Sequence, residues 1–330
     1  MNNKPESITH TKVAIITVTY NSESFINEYL ASLIPFLENT EHQLILVDNQ
    51  SSDNTLGLLD AFIKQNKQLQ DQIKVIPLEQ NIGFGKGCNK GAVAAQEYKP
   101  TYLWFLNPDT KVFEDSGSEL LALLDKKPDV DFVGSILINE KSEIRAGAFR
   151  FPTLTNVFVS AMGIGIVDKL FHRCHTSIPV KQTPYEADWL TGASFMVKNS
   201  SFNTLKGFEP YYFLYFEEVD LFYRAKQLGF SVWACPDSKV FHISGASTGI
   251  NDHKTQAKRK PKYWYESRRY FYMSNFGKLY FTAVDMALIF SHLVWRAKIK
   301  IQGQKNTAPL HYIRDILRHS YLFSFWGKSK

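Results

Sequence analysis

Residues 211–220 read YYFLYFEEVD and set Glu217, Glu218 and Asp220 into the most aromatic passage of the chain. A carboxylate beside ring faces loses solvation, so its pKa rises toward the range in which a general base works. The same acids suit the first turn of a helix, with Arg224 and Lys226 further on and Gly229 as the stop. The two readings are compatible, because a base at the start of a helix is rigidly held. On this stretch alone, function and packing weigh equally.

Other candidates are scattered. Asn107, Pro108 and Asp109 follow the apolar run 102–106. A hard divalent cation shared with a diphosphate uses such a carboxylate, since Mg²⁺ takes only about one or two from the protein. Taken alone, an Asx-Pro turn explains Asp109 better. His242 in FHISGAST can complete such a site as a neutral imidazole, although a lone His is more commonly packed. Asp188 and Trp189 in ADWLTGASFMVK suit stacking on a sugar face with hydrogen bonds to its hydroxyls, although a buried Trp is commoner. Gly83, Gly85, Gly87 and Gly91 in NIGFGKGCNKG let backbone N–H groups approach an anion at a helix N-terminus. Their G-x-G-x-G pattern matches neither the dinucleotide fingerprint nor the P-loop, so as a phosphate loop it is weak. His172, Cys174 and His175 in FHRCHT match no metal spacing and read as a surface loop.

The elements that must position these residues read as an α/β fold. Residues 13–20, VAIITVTY, form the continuous apolar, β-branched run of a strand buried on both faces, which predicts a parallel sheet. A helix follows after a Ser cap, then a strand at 44–47, a helix at 56–65, and strands at 75–78 and 102–106. Further strands are predicted at 131–138, 194–197 and 231–234, while 153–181 is a loop over the site or an insertion. Ligands bind beyond the carboxyl ends of such strands. That draws attention to Thr19, Tyr20 and Asn21 after the first strand, and to Asp48, Asn49 and Ser51 after the second. Asp48 can accept from a nucleobase N–H or a ribose hydroxyl, but Asp-Asn also simply makes turns.

The chain of 330 residues, 44% hydrophobic, is ample for a packed core and carries a formal net charge of +6. The charge is asymmetric: the part after His253 is clearly basic, which favours an anionic partner, whether membrane surface, nucleic acid or phosphorylated substrate. Three cysteines, Cys88, Cys174 and Cys235, with no CxxC spacing indicate no disulfide framework and fit a reducing cytosol. The N-terminal MNNKPESITHTK has no apolar h-region and reads as a polar tail. Residues 254–262 form a basic linker, and the nearly uncharged 279–295, flanked by Lys278, Arg296, Lys298 and Lys300, suits a helix lying in a membrane interface. A core helix or a dimer helix is the plainer alternative.

Taken together, TYN at 19–21, VDNQSSD at 47–53, NIGFGKGCNKG, LNPDT, DWLTGA, YFEEVDL and FHISGAST resemble, in order and spacing, the motifs of family 2 glycosyltransferases over residues 13–249. The resemblance is nearest to the bacterial rhamnosyltransferase-like branch. It implies a GT-A fold, with a mostly parallel central sheet flanked by helices, and an inverting transfer from a nucleotide-activated sugar assisted by Mg²⁺ or Mn²⁺. In such enzymes the residues matching Thr19, Tyr20, Asn21 and Asp48 hold base and ribose, and those matching Asn81, Gly83, Phe84, Lys86 and Asn89 line the donor site. Asp109 falls at the second acid of the metal motif, whose first acid is here Asn107, and His242 falls at a second metal ligand. In the motif written E-D-x-D the base position is Glu218, with Asp220 in reserve and Glu217 beside it. Asp188, Trp189, Gly192 and Ala193 would face the acceptor.

The expected organisation is a tail at 1–12, a transferase domain at 13–252 divided at 115/116 into nucleotide and acceptor halves, and a helical, aromatic segment at 253–330. The expected partners are a nucleotide-diphospho-sugar, a saccharide or lipid-linked acceptor, the cytosolic face of the membrane and a second copy through the C-terminal segment, with no nucleic acid. The resemblance points to rhamnose from dTDP-rhamnose and to O-antigen or capsule synthesis. Uracil and thymine nucleotides remain equally compatible with the base-binding residues. A nucleotide-dependent oxidoreductase is disfavoured because no fingerprint opens the chain. A non-catalytic glycan-binding scaffold would be expected to have lost Asp109 or the acids at 217, 218 and 220, and all are present.

Overall fold

The computed structural model describes residues 12–141, 143–162, 174–243 and 258–321. The tail 1–11, His172 of FHRCHT, residues 244–248 of FHISGAST and part of the basic linker lie outside the described residues.

Strands β1 (Val13–Thr19), β2 (Gln43–Asp48), β3 (Ile73–Pro77) and β4 (Tyr102–Leu106) alternate with helices α1 (Ile26–Leu37), α2 (Thr55–Gln65) and α3 (Phe84–Ala95). The second half contains β5 (Thr110–Val112), α4 (Ser116–Lys126), β6 (Phe132–Ile138), β7 (Ile144–Arg145), β8 (Ala148–Phe149) and α5 (Leu154–Met162). It continues with β9 (Tyr185–Glu186), β10 (Trp189–Leu190), β11 (Ser194–Lys198), α6 (Asn199–Thr204), α7 (Glu217–Gln227) and β12 (Val232–His242). Helices α8 (Lys262–Ile301) and α9 (Tyr312–His319) close the described chain.

The main sheet runs β3-β2-β1-β4-β11-β6-β12-β5. Its first four strands are parallel, β11 is antiparallel to both neighbours, and β6 and β12 are parallel again. The expected parallel sheet is therefore mixed in its second half. Every residue of β1 is buried, and alternate residues serve opposite faces. Ala14, Ile16 and Val18 pack with Cys88, Ala92, Leu221 and Phe222, while Val13 and Ile15 pack with Leu33, Trp104 and Leu120. Two differences from the sequence reading are local. Helix α1 has no side-chain cap, because Ser22 contributes its carbonyl to Phe25 and Ile26. The strand expected at 231–234 continues to His242 through an irregular register between Cys235 and Lys239.

Helix α8 begins within the expected linker and bends at Gly277, whose φ of 82° is open to glycine at little cost. Arg268 and Asp285, 17 residues apart, meet at 2.6 Å between Nη1 and Oδ1, both buried. In a straight helix they would stand about 25 Å apart, so the two arms fold toward each other. The guanidinium also lies over the rings of Tyr272 and Phe281. Residues 153–181, expected to be a loop over the site or an insertion, instead begin with helix α5, which packs on these arms. Leu154 N–H donates to the Tyr280 hydroxyl at 2.8 Å, and Ser291 donates to the Phe158 carbonyl at 3.0 Å.

Removing one member of a buried ion pair strands the other. Asp285→Ala should therefore cost about 3–5 kcal/mol, whereas Arg268→Met with Asp285→Leu together should cost far less. Urea denaturation of both variants checks the contrast, and equal losses would mean that packing and not charge holds the bend.

Candidate active site

The register places Thr19 opposite Asp48 at the carboxyl ends of β1 and β2. Thr19 Oγ1 donates to Asp48 Oδ1 at 2.9 Å, Ser51 N–H donates to Oδ2 at 2.9 Å and the Ser51 hydroxyl donates to Oδ1 at 2.5 Å. Asn21, at a φ of 49°, gives its N–H to Ser51 Oγ and accepts Ser52 N–H at 2.8 Å. Asp48 thus fixes both loops, and the Tyr20 ring stands 45% exposed above them. Asn49 extends the stitching: its amide donates to the Gly83 carbonyl at 3.2 Å and accepts Ile82 N–H at 3.0 Å.

Asn81 caps the turn before α3 by accepting Gly83 N–H at 3.0 Å. Gly83 has a φ of 87°, and a methyl there would overlap the Phe213 carbonyl, which accepts Phe84 N–H at 3.0 Å. Gly87 and Gly91, weighed from sequence as part of an anion loop, instead face Val18 and Ile16 of β1. Asn89 spends its amide on the backbone of Phe208, donating at 2.8 Å and accepting at 2.9 Å. Lys86 is half-buried, with no ion pair among the described residues.

His242 ends β12 opposite Thr110 of β5, which brings its Nε2 to 3.3 Å from Asp109 Oδ1. Asn107 N–H donates to the Ala193 carbonyl at 3.0 Å, and its buried Oδ1 has no partner among the described residues. No cluster of three His, Cys, Asp or Glu exists among the described residues. The carboxylate, imidazole and orphaned amide oxygen nevertheless suit a divalent cation that draws its remaining ligands from a diphosphate and water.

Tyr215 and Phe216, with φ of 68° and 69°, turn the chain sharply into α7. Glu217 is only 3% exposed, and the Oε2 atoms of both Glu217 and Glu218 are buried without partners among the described residues. Burial, reinforced by Glu218, pushes Glu217 well above the usual carboxylate range. Burial also raises Glu218, while its own N–H and that of Gly192 oppose the shift. The two carboxyls titrate as a pair. They raise the buried Cys88 thiol too, after its own burial, so Cys88 is a neighbour that sequence reasoning did not single out.

Gly192 is held between Glu218 and the Phe84 ring, and the next residue, Ala193, holds Asn107. The Gly192–Ala193 step therefore connects a contact of Glu218 to Asn107, two residues before Asp109. Asp220 belongs to a different set: its carboxylate accepts Arg224 Nε at 2.7 Å, the Tyr212 hydroxyl at 3.2 Å and the Asn275 amide at 3.4 Å. Arg224 then clamps the carbonyls of Leu205 and Gly207, both at 2.9 Å. Trp189 is half-buried and stacked on Phe149 at 4.4 Å, with its indole N–H on the Arg150 carbonyl, which is nearer the buried alternative than a free sugar-stacking face. Asp188 accepts Phe151 N–H at 2.9 Å.

The profile of glycosyl transferase family 2 matches residues 14–203, more than half of the chain. The chain belongs to that family. It is 25% identical over 248 residues to N-acetylglucosaminyl-diphospho-decaprenol L-rhamnosyltransferase of Mycobacterium tuberculosis, covering 71% of this chain and 77% of that one. It is 29% identical over 243 residues to rhamnosyltransferase WbbL of Escherichia coli K12, covering 70% and 83%. Among solved structures, S. aureus TarS 1–349 in complex with UDP-GlcNAc aligns with a TM-score of 0.56 at 17% identity, over 94% of this chain and 79% of that one. GalNAc-T7 with UDP, GalNAc and Mn²⁺ aligns with a TM-score of 0.57 at 17% identity, over 96% and 59%. These likenesses establish the GT-A fold.

Because folding raises the Glu217 pKa, the native transferase keeps a proton that the unfolded chain releases above about pH 4.3. Its stability should fall as pH rises from there toward the native value. Glu217→Gln should remove this slope, gaining stability over the parent at pH 7 and little at pH 4, as read by urea midpoints across pH. An unchanged slope would show that the pair titrates through Glu218 alone.

Proposed function

We propose that this transferase moves one sugar from a nucleotide-diphospho-sugar to a hydroxyl of a lipid-linked saccharide, inverting the anomeric carbon. Rhamnose from dTDP-rhamnose is the favoured donor, since both relatives described above are named rhamnosyltransferases, and one of them is named for a lipid-diphosphate-linked acceptor. Surface polysaccharide synthesis, as O-antigen or capsule, is the corresponding role. The observation that carries the reading is the pair of buried carboxyls with unpartnered oxygens at the start of α7. A scaffold that had lost catalysis would gain nothing from their desolvation.

Glu218 is the base. Gly192 N–H favours its ionised form, while Glu217, the more strongly raised of the two, keeps the shared proton. As the acceptor oxygen attacks the anomeric carbon in line, its proton passes to Glu218 and the bond to the diphosphate breaks. One displacement inverts the centre. Asp109 and His242, with Asn107 beside them, would hold Mg²⁺ or Mn²⁺, which when bound neutralises charge on the leaving diphosphate. Lys86, at the start of α3, adds a cation to the same side. Thr19, Tyr20, Asn21 and Asp48 shape the base and ribose pocket, and Asn81, Gly83, Phe84 and Asn89 form its far wall. Asp188, Trp189, Gly192 and Ala193 form the acceptor wall, and Asp220 positions α7.

The transferase unit is assigned to residues 13–252, divided at 115/116, with 253–330 attaching it to the cytosolic face of the membrane. By length and composition α8 is apolar enough to cross a membrane, with 33% of its most apolar window buried in the molecule. Leu279, Met286, Phe290 and Leu293 recur on one exposed face of it beside Lys278 and Arg296, as an interfacial helix requires.

Glu218→Gln should lower kcat by about 10²–10⁴-fold while nucleotide affinity is unchanged. Retained turnover would move the base to Glu217. A thermal-shift screen against UDP-, dTDP- and GDP-sugars with and without Mn²⁺ should give a metal-dependent response to one nucleotide, lost in Asp109→Ala and His242→Ala. A response that those variants keep would remove the pair from the donor site.

A further inference from the structure

A cavity of about 550 Å³ opens between the start of α8 and the end of α9. Arg259, Lys260, Lys262 and Arg318 line it, against one acid, Asp315. Asp315 is already occupied by Arg259 at 2.7 and 2.6 Å, and Lys262 pairs outward with Glu266 at 2.8 Å. Lys260 and Arg318 are left with no carboxylate among the described residues. Lys260 lies half-buried, its ammonium 3.6 Å from the centre of the Trp264 ring. Burial, with Arg268 nearby, lowers its pKa to about 8. A cation withdrawn from water without a counter-charge is costly, and an anion in the cavity would relieve that cost.

Two further features converge on the same space. Tyr265 lines the cavity and is only 2% exposed, yet its hydroxyl has no partner among the described residues. Pro261 caps the N-terminus of α8 there, so the free N–H groups of the first turn add positive potential. The first turns of α8, which supply part of the cavity wall, also pack on the loop that enters α7. Tyr263 packs on Phe213 at 5.5 Å and stacks on Tyr215 at 6.1 Å, and Ser267 donates to the Leu214 carbonyl at 3.1 Å, just before Glu217.

We propose that this cavity is a phosphate site separate from the donor site, and that it takes the diphosphate through which the acceptor saccharide is linked to its lipid. The source of the diphosphate rests on the transferase reading above; the anion chemistry does not. Lys260, Arg318 and the Tyr265 hydroxyl contact the phosphate oxygens, which leaves the acceptor sugar beside the loop that enters α7.

The test uses the full chain and two variants, Lys260→Met and Arg318→Ala, the second at an exposed position where folding is not at stake. Calorimetry with inorganic pyrophosphate in EDTA, which removes the metal that the donor site needs, should show binding that falls at least tenfold in each variant. Pyrophosphate affinity equal to the parent's in both would overturn the site, whether or not turnover is ever seen. With transfer measured, the variants should raise KM about tenfold for a diphosphate-linked acceptor and leave kcat/KM for a neutral glycoside of the same sugar unchanged. Losses equal for both acceptors would overturn the assignment to the acceptor diphosphate. So would weakened binding to phosphatidylglycerol vesicles with KM unchanged in detergent, which would name a lipid headgroup as the source.

Discussion

The backbone contact between Phe84 N–H and the Phe213 carbonyl is the constraint on which the site depends. It joins the turn after β3 to the aromatic loop that delivers Glu217 and Glu218. Only a residue without a side chain fits at position 83, because the φ is positive and the carbonyl occupies the place of a Cβ. Asn49 ties the same turn to β2, and Asn89 ties α3 to Phe208. The polar side chains of Asn49, Asn81 and Asn89 thus act mainly on backbone, fixing loops that share no secondary structure. The surfaces left for a ligand are those that these bonds do not consume: the Tyr20 ring, Lys86 and the acids.

The acids are held at a cost that the rest of the molecule offsets. Two adjacent carboxyls in a dry pocket resist joint ionisation, and the neighbouring groups bias which of them gives up its proton. Glu218 has the Gly192 N–H, whereas Glu217 has only its own. The rigidity comes from the next turn of α7, where Asp220 and Arg224 form a partly buried bridge that also fastens the 205–207 turn. A carboxylate with this many donors stabilises the helix, and the carboxyls with unpartnered oxygens sit one turn away on that support.

Sequence made the first half of the fold legible because strands buried on both faces leave uninterrupted apolar runs, as in VAIITVT and YLWFL. The second half was harder. Strand β12 interrupts its apolar run with Pro236, Asp237, Ser238 and Lys239, so only its start was readable, although its far end carries His242 to Asp109. That pair is 133 positions apart, and residue type suggested it only weakly before the family resemblance did. The same limit hid the Arg268–Asp285 bridge, because a helical pattern gives no sign that Gly277 reverses the axis. Asp220 and Trp189 show a different limit. Residue type marked them as available for chemistry, and only the coordinates show how much of their hydrogen-bonding capacity the backbone and neighbouring side chains already take.

If the C-terminal segment attaches the protein to a membrane as proposed, the bend in α8 constrains how it does so. Straightening α8 would draw Arg268 and Asp285 apart by about 25 Å and expose each charge to hydrocarbon or to an apolar neighbour. It would also break the bonds from α5 to Tyr280 and Ser291. With α8 bent, the buried pair, α5 and α9 stay on the protein side, and the stripe from Leu279 to Leu293 is the face left uncovered. Under that proposal an interfacial orientation keeps the polar contacts of the bend, and the start of α8 stays against the loop that enters α7.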